Sequence, residues 1–176
     1  AATSEPQRVV TNGMSQYSRN ERNANAGLVV GIDPSDFPQD PETIERLVGE
    51  GRHKVRLDVN DCMDGIHPLS GIALQRQLES AAFVAGGGQY LAPVQRVGDF
   101  LAQRPSVQLG AVEPSYQPGV TPTDLARVLP DFTLQAMREA LPVFGQKIRG
   151  YDLPDAVMTG VETRTSSPLR IDRDEL

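Results

Sequence analysis

The longest regular pattern of apolar and polar positions predicts a helix from Leu69 to Ala85. Pro68 suits the first turn, because the N–H that proline lacks has no partner there in any case. Three glycines, Gly86 to Gly88, form the break that ends the helix. The apolar residues recur at helical spacing and form one stripe: Leu74, Leu78, Ala81 and Ala85.

Two further segments have helical patterns. One helix is predicted from Phe132 to about Lys147, and Pro142 inside it is expected to kink it. A shorter helix is predicted in the run TIERLVG, which begins at Thr43. The inward positions of the longer helix are expected to be Leu134, Met137, Leu141 and either Phe144 or Ile148.

Short β-branched runs bounded by turn residues predict strands between these helices. Pro93 argues for an edge position or a bulge in its strand, because proline cannot donate to the ladder. In the run GVTPTDLARVLP, Thr121 is predicted to cap a helix that has Pro122 in its first turn and Asp124 three residues after the cap. The predicted strands are RVVT (8–11), GLVVGI (27–32), the alternating run HKVRLDV from His53, a segment from Tyr90 through Val97, and Ala156 to Thr163.

The order of these elements predicts one α+β domain that spans residues 1–176. We expect a mixed sheet of short strands packed with two main helices and an additional short one. No internal repeat and no low-complexity linker divides the chain. The 16 glycines and 14 prolines agree with numerous turns and short elements.

Charge and composition exclude several classes of protein. A net charge of −6 and a pI near 4.9 argue against a nucleic-acid binder, since phosphate recognition needs a basic face. An anionic membrane surface is disfavoured for the same reason. No apolar run approaches the roughly 20 residues that cross a bilayer, so we expect a soluble protein without a membrane partner. The single cysteine, Cys62, cannot form an internal disulfide, which fits a reducing, cytoplasmic compartment.

The two ends of the sequence suggest a piece of a longer protein. The chain opens on AATSEPQRVV, without methionine and without the basic and apolar regions of a signal peptide. It closes on RDEL, which is similar to an ER-retention signal, but in the absence of a signal peptide we interpret this as coincidence.

The common catalytic and binding motifs are missing. The run AGGGQY follows a predicted helix rather than a strand, and its third motif glycine would fall on Leu91, so it is a helix terminator and not a dinucleotide site. The run DVNDCMDGIH is rich in ligand-type residues, but its spacing does not match a calcium loop or a zinc site, and we expect no metal. Cys62 lacks a basic neighbour that would lower its pKa. His67 is expected to cap a helix or to pack as a core side chain.

Two polar clusters are the candidate sites. The first, residues 10–30, contains Asn12 and Gly13 in a region dense in asparagine, and it fits either a simple hairpin connection or backbone amides that line a cavity. The second is MTGVETRTSSPLRI, Met158 to Ile171, in which a strand leads into a turn rich in hydroxyl groups and arginines. A turn of this kind fits either an exposed connector, with its arginines paired to Glu162 or Asp172, or a polar site at a strand end.

Four ordered stretches carry a resemblance to the uncharacterised FAD-dependent dehydrogenases, also called NAD(FAD)-utilizing dehydrogenases. In such proteins a flavin-binding domain of the two-dinucleotide type comes in two segments, and this chain resembles the domain inserted between them. The segment from about Gln39 to Ile66 looks like extra sequence relative to the family pattern. The four stretches are VVTNGMSQYSRNERNANAGLVV, HPLSGIALQRQLESAAFVAGGGQYLAPVQRVGDFL, YQPGVTPTDLARVLPDFTLQAMREALPVFGQKI and VMTGVETRTSSPLRI.

The resemblance implies a substrate-side domain that lines the flavin ring pocket of a longer FAD-dependent oxidoreductase. The partners would be the flavin-binding domain of the same polypeptide and an unidentified small-molecule substrate. Because the chain lacks a pyrophosphate-binding loop, we do not expect it to hold FAD alone. The residues expected to face the cofactor are Asn12, Gly13, Arg164, Thr165, Ser166, Ser167 and Arg170.

Within this set, Arg164 and Arg170 are expected to supply positive charge near the reduced ring or the substrate, and Thr165 and Ser166 to donate hydrogen bonds. Two alternatives stay open. One is a stand-alone module that binds a small polar ligand or a protein without catalysis, and the other is a purely architectural insert.

Overall fold

The structure, a computed structural model, describes residues 4–13, 17–49 and 66–164. Within these ranges the chain forms one small α+β domain, as the sequence predicts. Its four α-helices are α1 (Pro41–Val48), α2 (Ser70–Ala85), α3 (Val97–Leu101) and α4 (Asp131–Lys147), and its three strands are β1 (Ala92–Arg96), β2 (Val120–Pro122) and β3 (Val157–Thr159). Short 3₁₀ turns occupy Pro34–Asp36 and Leu125–Arg127. The strand predicted from His53 lies outside the described residues, as does Cys62.

The sheet is mixed and has β1 in its centre, with β2 parallel on one side and β3 antiparallel on the other. Of the two positions predicted for Pro93, an edge strand or a bulge, the edge strand is therefore wrong. Proline is tolerated there because β1 pairs with β3 only from Val94 to Arg96. The N–H that Pro93 lacks would therefore lie beyond the end of the hydrogen-bonded pairing between these two strands. The Pro93 carbonyl still accepts a hydrogen bond from Gly160 N at 2.9 Å.

Helix α2 confirms the prediction for residues 69–85 to within one residue. His67 closes its N-terminal turn: its Nδ1 accepts from Leu69 N at 3.1 Å, and its carbonyl accepts from Ser70 Oγ at 2.7 Å. At the other end, Gly87 and Gly88 adopt φ values of +92° and +76°, which side chains disfavour, so the helix stops there. The N-cap of α2 is Leu69, and His67 is a buried side chain in the turn that precedes the helix, so of the two roles expected for it the packed one fits.

Helices α1 and α4 also match their predicted segments. Helix α1 begins at Pro41, two residues before the predicted start, because the Asp40 side chain accepts from Thr43 N at 2.8 Å and caps it there. Helix α4 runs through Pro142 without a break in its helical assignment. Its inward face is Leu134, Met137 and Leu141, whereas Ile148 is exposed.

The helix start predicted at Thr121 is wrong. Residues 120–122 form β2, and the cap is Asp124, whose side chain accepts from Ala126 N at 2.9 Å to begin a 3₁₀ turn. The β1 strand offers a parallel partner to residues 120–122, and this tertiary pairing overrides the local signal for a helix.

Two predicted strands are absent from the sheet, and β3 is shorter than predicted, ending at Thr159 instead of Thr163. Residues 8–11 are buried, but the amides of Val9 and Thr11 bond to Glu79 O on α2 and to Val161 O after β3 instead of to a strand. Residues 27–32 are irregular: Leu28 and Val30 pack on the core, whereas Val29 is 77% exposed. A β-branched run forms a strand only where a neighbour pairs with its backbone, and neither run has one in the described part of the chain.

The core is divided among three clusters. One lies between α2 and the extended segment at Val9 and Val161, and another joins α1 to α2 through Ile44, Leu47 and Ala73. The largest side chains are in the third cluster, where α3 packs on α4: Val97, Phe100, Leu134, Met137 and Leu141. Helix α2 therefore contacts both the first segment of the chain and its last described residues, and this placement creates the site described next.

Candidate functional site: an ion-pair network at the chain junction

The first and last described segments of the chain lie side by side on α2. Thr11 N donates to Val161 O at 2.8 Å, and Gly13 N lies 3.4 Å from Glu162 Oε2 across 149 positions of sequence. Val9 N donates to Glu79 O on α2 at 3.0 Å. We call the region formed by residues 4–13, 161–164 and the adjoining part of α2 the junction.

A buried carboxylate, that of Glu79, lies at the centre of the junction and is 0% exposed. Arg164 approaches it with two nitrogens, Nε at 2.8 Å from Oε1 and Nη2 at 2.7 Å from Oε2. Thr163 Oγ1 donates to Oε1 at 2.6 Å, and Gln75 Nε2 donates to it at 3.0 Å. Bidentate arginine–carboxylate pairs of this kind are among the stronger protein hydrogen bonds, and this one holds Arg164 against α2.

The surroundings of Glu79 favour its charged form. Burial by itself raises the pKa of this carboxyl, but the hydrogen bonds from Arg164, Thr163 and Gln75, together with the charge of Arg164, outweigh burial and lower the pKa below its ordinary value. The same contact with Glu79 raises the pKa of the Arg164 guanidinium. Both groups are therefore ionised at neutral pH.

A second carboxylate, Glu5, extends the network across the surface. Its Oε1 accepts from Arg164 Nη2 at 3.1 Å, and its Oε2 lies 2.7 Å from Arg8 Nη1 and 3.6 Å from Arg76 Nη2. Arg76 also donates to two carbonyls at the end of α1, those of Leu47 and Val48. The junction network thus consists of Glu5, Arg8, Arg76, Glu79 and Arg164, and it ties both end segments to α1 and α2.

The junction brings together the two polar clusters that the sequence singled out. Asn12 and Gly13 are exposed and lie next to Glu162, and Arg164 belongs to the junction network. Thr165, Ser166, Ser167 and Arg170 lie outside the described residues, as does Asp172. If the turn is an exposed connector, its arginines are expected to pair with Glu162 or Asp172. In the structure Glu162 lies against Gly13 N, and Arg164 pairs with Glu79 and Glu5.

Sequence reasoning missed Glu79, which is the centre of the network. The feature that could have indicated it is the position of this glutamate on the buried side of α2, three residues before Ala82 and four after Gln75. A charged residue in such a position needs a buried partner. The partner, Arg164, is 85 positions away in the sequence, and no local pattern indicates it.

A second buried charge, that of Asp99, supports the sheet instead of the junction. Ser106 Oγ donates to it at 2.7 Å, Arg96 Nε at 2.9 Å and Arg104 Nε at 2.8 Å. The hydrogen bond from Ser106 is the main cause that lowers the pKa of Asp99, and burial opposes it. These contacts hold the β1–α3 turn against the loop that follows α3, so we assign Asp99 a structural role.

Two shallow hollows flank the exposed side of α2 and meet at Ser80 and Val84. One has a volume of about 370 Å³ and the other of about 290 Å³. Among the described residues, no group of three or more His, Cys, Asp or Glu side chains could hold a metal ion. None of the described helices combines the length and the apolar character needed to span a membrane.

Comparison with known proteins agrees with this description. The family model described as "FAD-dependent protein, C-terminal domain-like" matches residues 1–50 and 53–165. Within residues 39–66, where extra sequence was expected, only 51 and 52 are unmatched, so that expectation is wrong for most of the segment. An uncharacterised protein from Clostridium beijerinckii is 42% identical over 174 residues, which are 99% of this chain and 28% of that protein.

The chain thus spans less than a third of the length of this curated relative. Because the family model covers nearly the whole chain, the flavin association suggested by the sequence resemblance has independent support. The chain belongs to the family of FAD-dependent protein C-terminal domain-like domains, and it is a flavoprotein-associated domain.

Proposed function

We propose that this chain is the substrate-side domain of a longer FAD-dependent oxidoreductase, in which it forms the wall of the pocket that faces the flavin ring. The observation that carries the proposal is the contact between the first and last described segments, from Thr11 and Val161 to Glu5 and Arg164. A domain inserted into another must leave and re-enter its host at neighbouring points, and chain ends that lie close together make such insertion possible.

The described residues do not fit the pyrophosphate of FAD. Dinucleotide sites use a glycine-rich turn between a strand and the N-terminus of a helix. The turn from β1 into α3 has this order of elements, but a side chain at Gly98 would meet Pro154 at 3.0 Å, so the glycine serves packing between two parts of the domain. The first turn of α3 also carries the anionic Asp99. Pyrophosphate binding is therefore assigned to other parts of the longer polypeptide.

The contacts of Arg164 support a positioning role for this residue. Its guanidinium is shared between Glu79 and Glu5, so its charge is balanced inside the network and is less available to a ligand than the sequence alone suggested. In the proposal, the pair with Glu79 anchors the segment that follows β3. The ring pocket is assigned to the hydroxyl groups of Thr165, Ser166 and Ser167, to the guanidinium of Arg170, and to Asn12 and Gly13.

FAD, when bound by the longer polypeptide, supplies the redox chemistry. This domain's residues would orient an unidentified small-molecule substrate against the ring and exclude water from the pocket. The proposed enzyme is a cytoplasmic dehydrogenase, and a chain with the single cysteine Cys62 agrees with a reducing compartment.

The test is to change Arg164 and Ser166 to alanine, separately, in the longer polypeptide. We expect Ser166→Ala to shift the flavin absorption spectrum and the midpoint potential, because a hydrogen bond near the ring is lost. Arg164→Ala should shift both and should also lower the melting temperature, because it opens the junction network. Rescue of the potential by Arg164→Lys should be incomplete, since lysine cannot form the bidentate pair.

The matched control is Arg149→Ala, which removes an exposed arginine after α4. It should leave the spectrum, the potential and the melting temperature unchanged. If Arg164→Ala and Ser166→Ala both keep the wild-type spectrum and potential, the junction is not part of the flavin pocket.

A further inference from the structure

The exposed side of α2 has the features of a packing surface. Val84, the penultimate residue of α2, is 71% exposed. Ser80 precedes it by one turn, and together they form a ridge that has a hollow on either side. We call this ridge and its two hollows the α2 face.

The residues that α2 contributes to the first hollow are small, and arginines line both hollows. Ala81 and Ala85 line one hollow beside the ridge, with Arg127 at its edge. Rows of small residues spaced four apart allow another helix to approach closely and to lay its own ridge in the adjoining groove. The second hollow is lined by Pro6, Gln7, Arg8, Arg46, Leu47, Ser80, Phe83 and Val84.

The position of the second hollow indicates what covers it. Residues 6–8 line it, and Glu5 next to them pairs with Arg164, so the first and last described segments of the chain lie beside this face. The Clostridium relative has 72% of its length outside the matched region (100% minus the 28% covered), which supplies a partner of sufficient size in the same polypeptide. Two of the arginines that line the hollows, Arg46 and Arg127, are exposed, and on a chain of net charge −6 they favour a partner surface with carboxylates around an apolar centre.

We infer that the α2 face is the docking surface for the flavin-binding part of the same polypeptide, which presents a helix with apolar side chains flanked by Asp or Glu. The inference rests on the proposed function, because it takes the partner to be the flavin-binding part. It adds the surface through which the two parts contact each other and the chemistry of the partner.

The experiment is site-specific photocrosslinking in the longer polypeptide with its cofactor bound. Val84→p-benzoylphenylalanine places the reactive group on the ridge, and Val107→p-benzoylphenylalanine is the control at a position that is 86% exposed in a loop. We expect several-fold more intramolecular crosslink at position 84 than at 107, with peptide mapping that assigns the partner residues to sequence outside these 176 residues. Arg127→Glu should reduce that yield several-fold.

Three outcomes would overturn the inference: equal yields at both positions, crosslinks confined to residues 1–176, or crosslinks between two copies that disappear on dilution. An unchanged yield in Arg127→Glu would refute the acidic character of the partner. The flavin content of the same sample separates this inference from the proposed function. If position 84 crosslinks to the rest of the polypeptide but the protein contains no FAD, the inference that the α2 face is a docking surface stands, and the proposed function at the flavin pocket is wrong.

Discussion

Replacing Glu79 by glutamine tests whether the junction network stabilises the domain. The substitution keeps the shape of the side chain but removes the charge, and it turns one acceptor into an amide donor that faces the guanidinium of Arg164. Loss of one member of a buried ion pair costs about 3–5 kcal/mol. Arg164 retains Glu5 as a partner at 3.1 Å, and its side chain is 28% exposed. We therefore expect a smaller loss, about 2–3 kcal/mol, since solvent screens part of the interaction.

Thermal unfolding followed by circular dichroism measures this effect. For a chain of this size, 1 kcal/mol corresponds to about 2–4 °C, so Glu79→Gln should lower the melting temperature by about 4–12 °C at pH 7. The matched control is Glu139→Gln. Glu139 on α4 accepts from Gln135, four residues before it, as Glu79 does from Gln75, but it is exposed, and the change should cost less than about 0.5 kcal/mol.

The effect should also depend on pH. The folded state lowers the pKa of Glu79 below its ordinary 4.5, so the stability that this carboxylate contributes is complete above pH 4.5 and is lost as the pH falls through the folded pKa. The difference between wild type and Glu79→Gln should therefore be constant near neutral pH and should shrink in acid. A difference below about 0.5 kcal/mol at pH 7, or one that grows in acid, would refute the stabilising role of the network.

Two further substitutions test the fold around the site. Gly86→Ala should lower the free energy of unfolding in urea by about 1–3 kcal/mol, because its Cβ would collide with the Leu91 carbonyl oxygen. The control is Gly31→Ala, which has open space around it and should be neutral. Equal effects of the two substitutions would contradict the packing described at the end of α2. Gln95→Met should lower the free energy of unfolding by about 2–4 kcal/mol, because the fully buried amide donates to Arg104 O at 2.8 Å and accepts from Leu125 N at 2.9 Å. The control is the same substitution at an exposed position, Gln117→Met. A neutral Gln95→Met would show that these bonds are replaced at no cost.

The parts of the fold that the sequence predicted correctly are those with long, local signals. Helices α2 and α4 each repeat an apolar stripe over several turns, and their bounds agree with the prediction to within one residue. The short strands have too few residues to establish a period, and each depends on a partner that is distant in the sequence. Residues 120–122 show this dependence, since they read locally as a helix start and became β2 because β1 lies beside them.

The candidate site was predictable only in part. The sequence identified the two polar clusters, because an unusual density of asparagine or hydroxyl groups is visible locally. It did not indicate that Gly13 and Glu162 lie next to each other, or that Glu79 pairs with Arg164, because these contacts depend on how α2 packs between the end segments. The sequence also did not indicate that Arg164, which is expected to face the cofactor, pairs with both Glu79 and Glu5.

The most direct test of the account is a flavin titration of this 176-residue chain beside the longer polypeptide. We expect the chain to purify without colour and to leave the absorbance and fluorescence of added FAD unchanged, because its described residues offer no site for the pyrophosphate. The longer polypeptide should be yellow and should hold one FAD per molecule. A stoichiometric flavin spectrum from the 176-residue chain alone would contradict the assignment of this domain to the substrate side of the pocket.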